Sequence, residues 1–140
     1  MQSKEKQDII FLRLFTNEDV NKQIKKACNL YNVKTAIIIS GIGQLKNVQL
    51  GYFKEKGEYI KEVFKKPLEI LSLNGNICND DSEYIIHMHA VLGDESKSVI
   101  GGHFFKGIVS VTAEIVLLKI DINAKRKDDN QTGLKMLYFK

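Results

Sequence analysis

The first sustained apolar stretch, "DIIFLRLF" at 8–15, is rich in Ile, Phe and Leu and predicts a strand. The period then changes. From Thr16 or Asn17 to Tyr31, the residues Val20, Ile24, Ala27, Cys28 and Tyr31 recur at helical spacing, while Lys22, Lys25 and Lys26 take the opposite face. Thr16 and Asn17 are natural N-cap types, and Glu18 and Asp19 put negative charge where a helix dipole favours it. No other segment carries a convincing helical pattern.

Strand patterns follow one another after that: "TAIIIS" (35–40), "NVQLGYF" (47–53), "EYIKEVF" (58–64), "LEILSL" (68–73), "YIIHMHAVL" (84–92) and "VSVTAEIVLLKI" (109–120). Turn signals separate them at Gly41-Ile42-Gly43, Lys56-Gly57, Asn74-Gly75-Asn76, Asn79-Asp80-Asp81-Ser82 and Gly93-Asp94. The only proline, Pro67, opens a strand, where its missing N–H does no harm. A polar loop is expected over 123–133, with "LKMLYF" returning as a last short strand. With no repeat, low-complexity tract or linker, the pattern predicts one domain over 1–140. Its class is α/β of the α+β type: a mostly antiparallel, curled β-sheet with one main helix packed on it. One helix cannot cover both faces of so many strands, so the second face must curl on itself or meet another subunit.

Composition narrows the function classes without choosing one. The 140 residues suffice for an ordinary core, and the apolar (44%) and charged (27%) shares are those of a soluble globular protein. The net charge of +4 favours anionic partners in general, but only Arg13 and Arg126 among the 21 basic residues are arginine. Base-specific DNA reading therefore has little to work with. The weight of Lys, Ile and Asn suggests an AT-rich bacterial genome. Cys28, on the apolar side of the helix, and Cys78, near a strand end, read as inert buried thiols in a reducing cytosol rather than as a disulfide. "IIFL" stops at Arg13, too short for a signal-peptide core, and no run is long enough to span a membrane, so the expected location is cytoplasmic.

All three histidines fall in "IIHMHAVLGDESKSVIGGH", residues 85–103. In a strand alternate side chains share a face, so Ile85, His87, His89 and Val91 line one side, and Tyr84, Ile86, Met88 and Ala90 the other. His87 and His89 stand roughly 7 Å apart at the backbone, a gap that two imidazoles can close around one ion. His103 would complete a three-histidine set, which for zinc leaves a fourth position open to water or substrate. Gly101 and Gly102 suit such a site, letting the backbone bend beside it and leaving room for a ligand. Against this stands the plainer reading of three ordinary histidines hydrogen-bonded along a polar cleft. Glu114 alternates with Ser110 and Thr112, as either a partner behind the site or a solvated strand glutamate. Gly41-Ile42-Gly43 lacks a third glycine and a following helix, which argues against a dinucleotide site. Lysines 54, 56, 61, 65 and 66 and the cluster Lys125-Arg126-Lys127 could meet phosphates, but read first as solvated edges.

Taken together, "SGIGQLKNVQLGYF", "EYIKEVFKKPLEILSLNGNI", "HMHAVLGDESKSVIGGHFFKGIVSVTAEIVL" and "KRKDDNQTGLKML" resemble the PPC family (plants and prokaryotes conserved domain, DUF296) in its stand-alone prokaryotic form. The resemblance covers about 9–136. It implies an antiparallel α/β domain assembled as a homotrimer, and a divalent metal, usually taken as Zn²⁺, on His87, His89 and His103. It settles no reaction. Plant members bind AT-rich DNA largely through an Arg-Gly-Arg hook outside this domain, and no such tripeptide occurs here. Three functions follow as expectations: a metal-binding protein whose site is open to a small anionic ligand, a DNA-associated regulator, or a small-molecule sensor without catalysis.

Overall fold

The computed structural model describes residues 1–80 and 83–139. Along the chain run β1 (Gln2–Lys6), β2 (Ile9–Phe15), α1 (Val20–Leu30), β3 (Thr35–Glu55), β4 (Glu58–Phe64), β5 (Leu68–Asn79), β6 (Tyr84–Gly93), β7 (Val99–Lys119), β8 (Ala124–Asp128) and β9 (Lys135–Phe139). The strand pairings are antiparallel, in a seven-stranded sheet ordered β1-β2-β7-β6-β5-β3-β4 and a small β8-β9 hairpin. β3 also pairs with β7, so β3, β5, β6 and β7 close into a ring. The expected curl is thus a closure.

Helix α1 seals the core face. Val20, Ile24, Ala27 and Cys28 are fully buried with Ile10, Leu12 and Leu14 of β2, Ile38, Leu45 and Leu73, and Ile115 and Leu117 of β7. The helix begins later than Thr16 or Asn17 would have it, because those residues are tied to β7 instead. The Thr16 hydroxyl donates to the Val111 carbonyl, and the Asn17 N–H to that of Val109. Asp19 is the N-cap, its side chain accepting from the Lys22 N–H at 2.9 Å. Glu18 accepts from the Phe15 N–H and from the chain's N-terminal amine.

Three expected breaks are strand interior. Gly41-Ile42-Gly43 runs inside β3, joining the two strands expected at 35–40 and 47–53 into one of 21 residues. A Cβ on Gly43, at φ +127°, would sit 2.2 Å from the Thr112 carbonyl oxygen, so this glycine serves close strand approach rather than chain reversal. Asn74-Gly75-Asn76 likewise lies within β5, where Gly75 lets the β6 backbone at His87 come near. Gly101-Gly102 is no bend: β7 starts at Val99, ten residues before the expected Val109. The polar loop over 123–133 contains β8, and the charged "QSKEK" of β1, which no apolar pattern announced, pairs with β2. The turns at Lys56-Gly57 and after Gly93 are present, the second held by the Asp94 carboxylate accepting from the Ser96 and Ser98 N–H groups. Of the turn expected at Asn79-Asp80-Asp81-Ser82, Asp81 and Ser82 lie outside the described residues.

Candidate metal centre

On β6, Tyr84, Met88, Ala90 and Leu92 are buried, while His87 and His89 point to the other face, as alternation requires. The third imidazole arrives by register. His103 of β7 is the direct partner of His89, in a row running Asn74, His89, His103, Gly51 and Lys61 across β5, β6, β7, β3 and β4. The three rings form a nearly equilateral group with centroids 5.1, 5.3 and 5.4 Å apart. One nitrogen from each lies within 4.8 Å of the others. Bonds of 2.0–2.1 Å to a tetrahedral ion require about 3.4 Å between nitrogens, which rotation of the rings can supply.

His103 is the half-buried anchor. Its ring packs against Phe105 at 4.6 Å and Tyr59 at 5.7 Å. Gly51 makes room for these rings, since a Cβ there would lie 2.3 Å from Phe105 and 2.9 Å from Tyr59. Burial, then the neighbouring His87 and His89, push the His103 pKa down to about 4, and burial with the Arg126 guanidinium lowers that of His87. Both rings therefore stay neutral near pH 7. The Nδ1 of His103 is buried and has no partner in the protein, an unmet demand that an ion would satisfy. An all-imidazole set suits Zn²⁺, Cu, Fe or Ni rather than the oxygen-seeking Mg²⁺ or Ca²⁺. The residues present fit a transition-type divalent ion.

Arg126 of β8 closes one side of the group. Its Nη2 donates to the Asn76 Oδ1 at 2.6 Å and lies 3.1 Å from the His87 Nδ1, while Nη1 donates to the Lys135 carbonyl at 2.8 Å. By sequence Arg126 belongs to a solvated basic cluster and Asn76 to a turn. No local signal marks either, because the β8-β9 hairpin meets β5 only in three dimensions. The same cluster is not a phosphate edge at Lys125, which is buried with its Nζ donating to the Asn79 carbonyl.

The remaining candidates fall elsewhere. Glu114 is eleven residues further along β7, in register with Arg13 of β2 and Ile42 of β3, and is not brought to the histidines. The reading of Glu114 as a partner behind the site is corrected accordingly. Gly101 and Gly102 sit beside the site in regular pairing with Val91 and Ala90. A Cβ on Gly102 would lie 2.9 Å from the Gly51 carbonyl oxygen, so its first service is to let β7 approach β3. Lys54 pairs with Glu58 at 2.9 Å, Lys66 approaches Glu95 at 4.0 Å, and Lys56 donates to the Asn130 carbonyl. Cys28 and Cys78 are buried and free, with burial pushing the Cys28 thiol up to about 12 and raising that of Cys78. A hollow of about 260 Å³ beneath the β3-β4 hairpin, lined by Leu50, Tyr52, Ile60, Glu62, Phe64 and Ile100, gathers no comparable set of ligands. The chemistry, not concavity, marks the histidine site.

These features define a β-rich domain, one main sheet with a small added hairpin, that carries a three-histidine face. Residues 1–121 match the model of the Plants and Prokaryotes Conserved (PCC) domain, the PPC family under another abbreviation, and the chain belongs to that family. The tail "KRKDDNQTGLKML", and with it β8 and β9, lies beyond the matched residues. Among solved structures, the fold is similar to that of a metal-containing protein from Archaeoglobus fulgidus, 34% identical over 96% of this chain and 95% of that one, with a TM-score of 0.84. It is also similar to a plant- and prokaryote-conserved protein from Pyrococcus horikoshii, 32% identical over 99% and 96%, with a TM-score of 0.80. A candidate DNA-binding protein from Bacteroides thetaiotaomicron shares the fold (TM-score 0.92, covering 99% and 96%) at 22% identity. A search of curated proteins finds no match. Among the described residues no helix is long and apolar enough to cross a membrane.

Proposed function

We propose that this protein holds one divalent ion, zinc by preference, on His87, His89 and His103, and offers its open position to a small anionic ligand. The observation that carries this reading is the convergence of three imidazoles, one nitrogen of each within 4.8 Å of the others, with a buried and unpartnered Nδ1 on His103. The metal-containing relative from Archaeoglobus fulgidus supports it. When bound, the ion would supply Lewis acidity at a position that three protein ligands leave free. The protein's own part is to keep two of the imidazoles neutral by burial and to fix all three on paired strands. The test is metal analysis of purified protein. About one equivalent of zinc is expected in the wild type and almost none in His87→Ala/His89→Ala, and equal metal in both would refute the reading.

We further infer a homotrimer as the working form. Ile9, Phe11, Phe15 and Ile42 are 42–54% exposed on the outer face of β2 and β3, on either side of Glu114 of β7, an apolar surface suited to a second copy. A DNA-associated role stands second. The likeness to the Bacteroides protein is one of fold, and several hairpin lysines already have partners. A salt-sensitive gel shift with duplex DNA would raise it.

A further inference from the structure

The contact between Arg126 and His87 has a consequence that rests on the metal reading and extends it. A guanidinium has hydrogens to give and no lone pair to offer, so across the 3.1 Å contact the His87 Nδ1 must be the acceptor. A neutral imidazole has one lone pair. While His87 spends it on Arg126, its proton resides on Nε2 and neither nitrogen is free for a metal. Ligation through Nδ1 takes the lone pair that Arg126 uses. Ligation through Nε2 moves the proton to Nδ1, where it faces the Arg126 hydrogens. On either route Arg126 and the ion exclude one another at His87.

We propose that Arg126 guards the empty site and, once the metal displaces it from His87, becomes the binding group for a carboxylate ligand. Three further observations lead there. First, the histidine group contains no acidic residue among the described residues, so three neutral imidazoles leave both charges of the ion uncompensated. Second, two protein cations flank the group: Arg126 on one side, and on the other Lys61, whose Nζ lies 4.5 Å from the centroid of the Phe105 ring that packs on His103. An anion is the missing charge. Third, the Arg126 Nε is buried and makes no hydrogen bond, although the guanidinium also lies against the Cys78 thiol. Release from His87 frees a hydrogen on Nη2, and with the Nε–H this edge of the guanidinium would offer the side-on fork that matches a planar carboxylate. Asn76 accepts from Nη2 and the Lys135 carbonyl from Nη1, which keeps the guanidinium beside the histidines. Arg126 is thus a positioning and specificity residue, contributed by a hairpin that lies outside the matched family region.

The experiment uses the full chain, stripped of metal and titrated with Co²⁺, whose visible absorption reports both binding and changes of ligand. Losing a competing charged hydrogen bond should make Arg126→Gln bind Co²⁺ roughly fivefold or more tightly than wild type. Sodium acetate should shift the Co²⁺ spectrum of the wild type at concentrations that leave Arg126→Gln unchanged. Arg126→Lys keeps the charge without the fork and should respond weakly, which covers the case of a glutamine variant that does not fold by circular dichroism. Equal or weaker Co²⁺ binding by Arg126→Gln overturns the guard, and an equal acetate shift in wild type and both variants overturns the anion role. A shift by inorganic phosphate but not acetate overturns the carboxylate assignment. Wild-type protein that binds no Co²⁺ refutes the three-histidine reading instead. The guard is then judged by nitrogen-15 NMR of metal-free protein at a pH where His87 is neutral. A proton on Nε2 in wild type that redistributes in Arg126→Gln supports it, and one on Nδ1 in wild type overturns it.

Discussion

Strand β7 carries both polar residues singled out on it, His103 near its start and Glu114 near its end, and the two halves of the strand put them to different use. Around His103 the lateral neighbours are His89 of β6 and Gly51 of β3: one a second imidazole, the other a gap that admits Tyr59 and Phe105. Around Glu114 they are Arg13 of β2 and Ile42 of β3, with exposed Phe11 and Phe15 nearby. Position along the strand decides only which face a side chain takes. Its task comes from the row of residues beside it, and that row is set by register.

The strongest break of this contrast is a double dissociation. His103→Ala should weaken Co²⁺ binding about a hundredfold or more while leaving the assembly intact, since it removes one of three ligands. Phe11→Asp should reduce the proposed trimer to monomers and leave Co²⁺ affinity within about threefold, because a buried charge opposes apolar association. Glu114→Ala should follow the second pattern in sparing the metal. Sedimentation and Co²⁺ titration read both axes, and a Glu114→Ala protein as metal-deficient as His103→Ala would erase the distinction.

A second, smaller effect tests the support beneath His103. Gly51→Ala must push Phe105 or Tyr59 aside and should cost about 1–3 kcal/mol in denaturant unfolding, the usual range for overpacking. An unchanged midpoint would mean that those rings are not held there.

The smallest effect is a pH dependence. The folded pKa of His103 lies near 4, below its ordinary 6.5, so between those values the unfolded chain binds more protons than the folded one. The metal-free protein should therefore lose stability as pH falls from about 6.5 to about 4, on the order of 1 kcal/mol after allowance for partial exposure. His103→Ala should flatten this window, and parallel curves for the two proteins would assign the slope to other groups.

Much of this was legible in the residues. Period-two alternation placed His87 and His89 on the face away from Met88 and Ala90, and the helical spacing of Val20, Ile24, Ala27 and Cys28 foretold the one helix and its buried side. Both are local properties of the backbone, so a short stretch of sequence suffices to reveal them. Glycine misled for an equally physical reason. At Gly41-Ile42-Gly43, Asn74-Gly75-Asn76 and Gly101-Gly102, the absent side chain reads locally as freedom to turn, yet several of these glycines serve to let a distant strand come close. The charged β1 gave no apolar signal because it is an outer strand held by pairing with β2.

By itself, then, the sequence determined the strand-rich class, the single helix, the pairing of His87 with His89, and the family. Only the tertiary structure decided that His103 joins them through register with His89, that Glu114 belongs to another surface, and that Arg126 stands over the histidines. Each of those depends on contacts between segments far apart in the chain. Such contacts are fixed by how the strands close into a ring and where the β8-β9 hairpin folds back, which no single segment records.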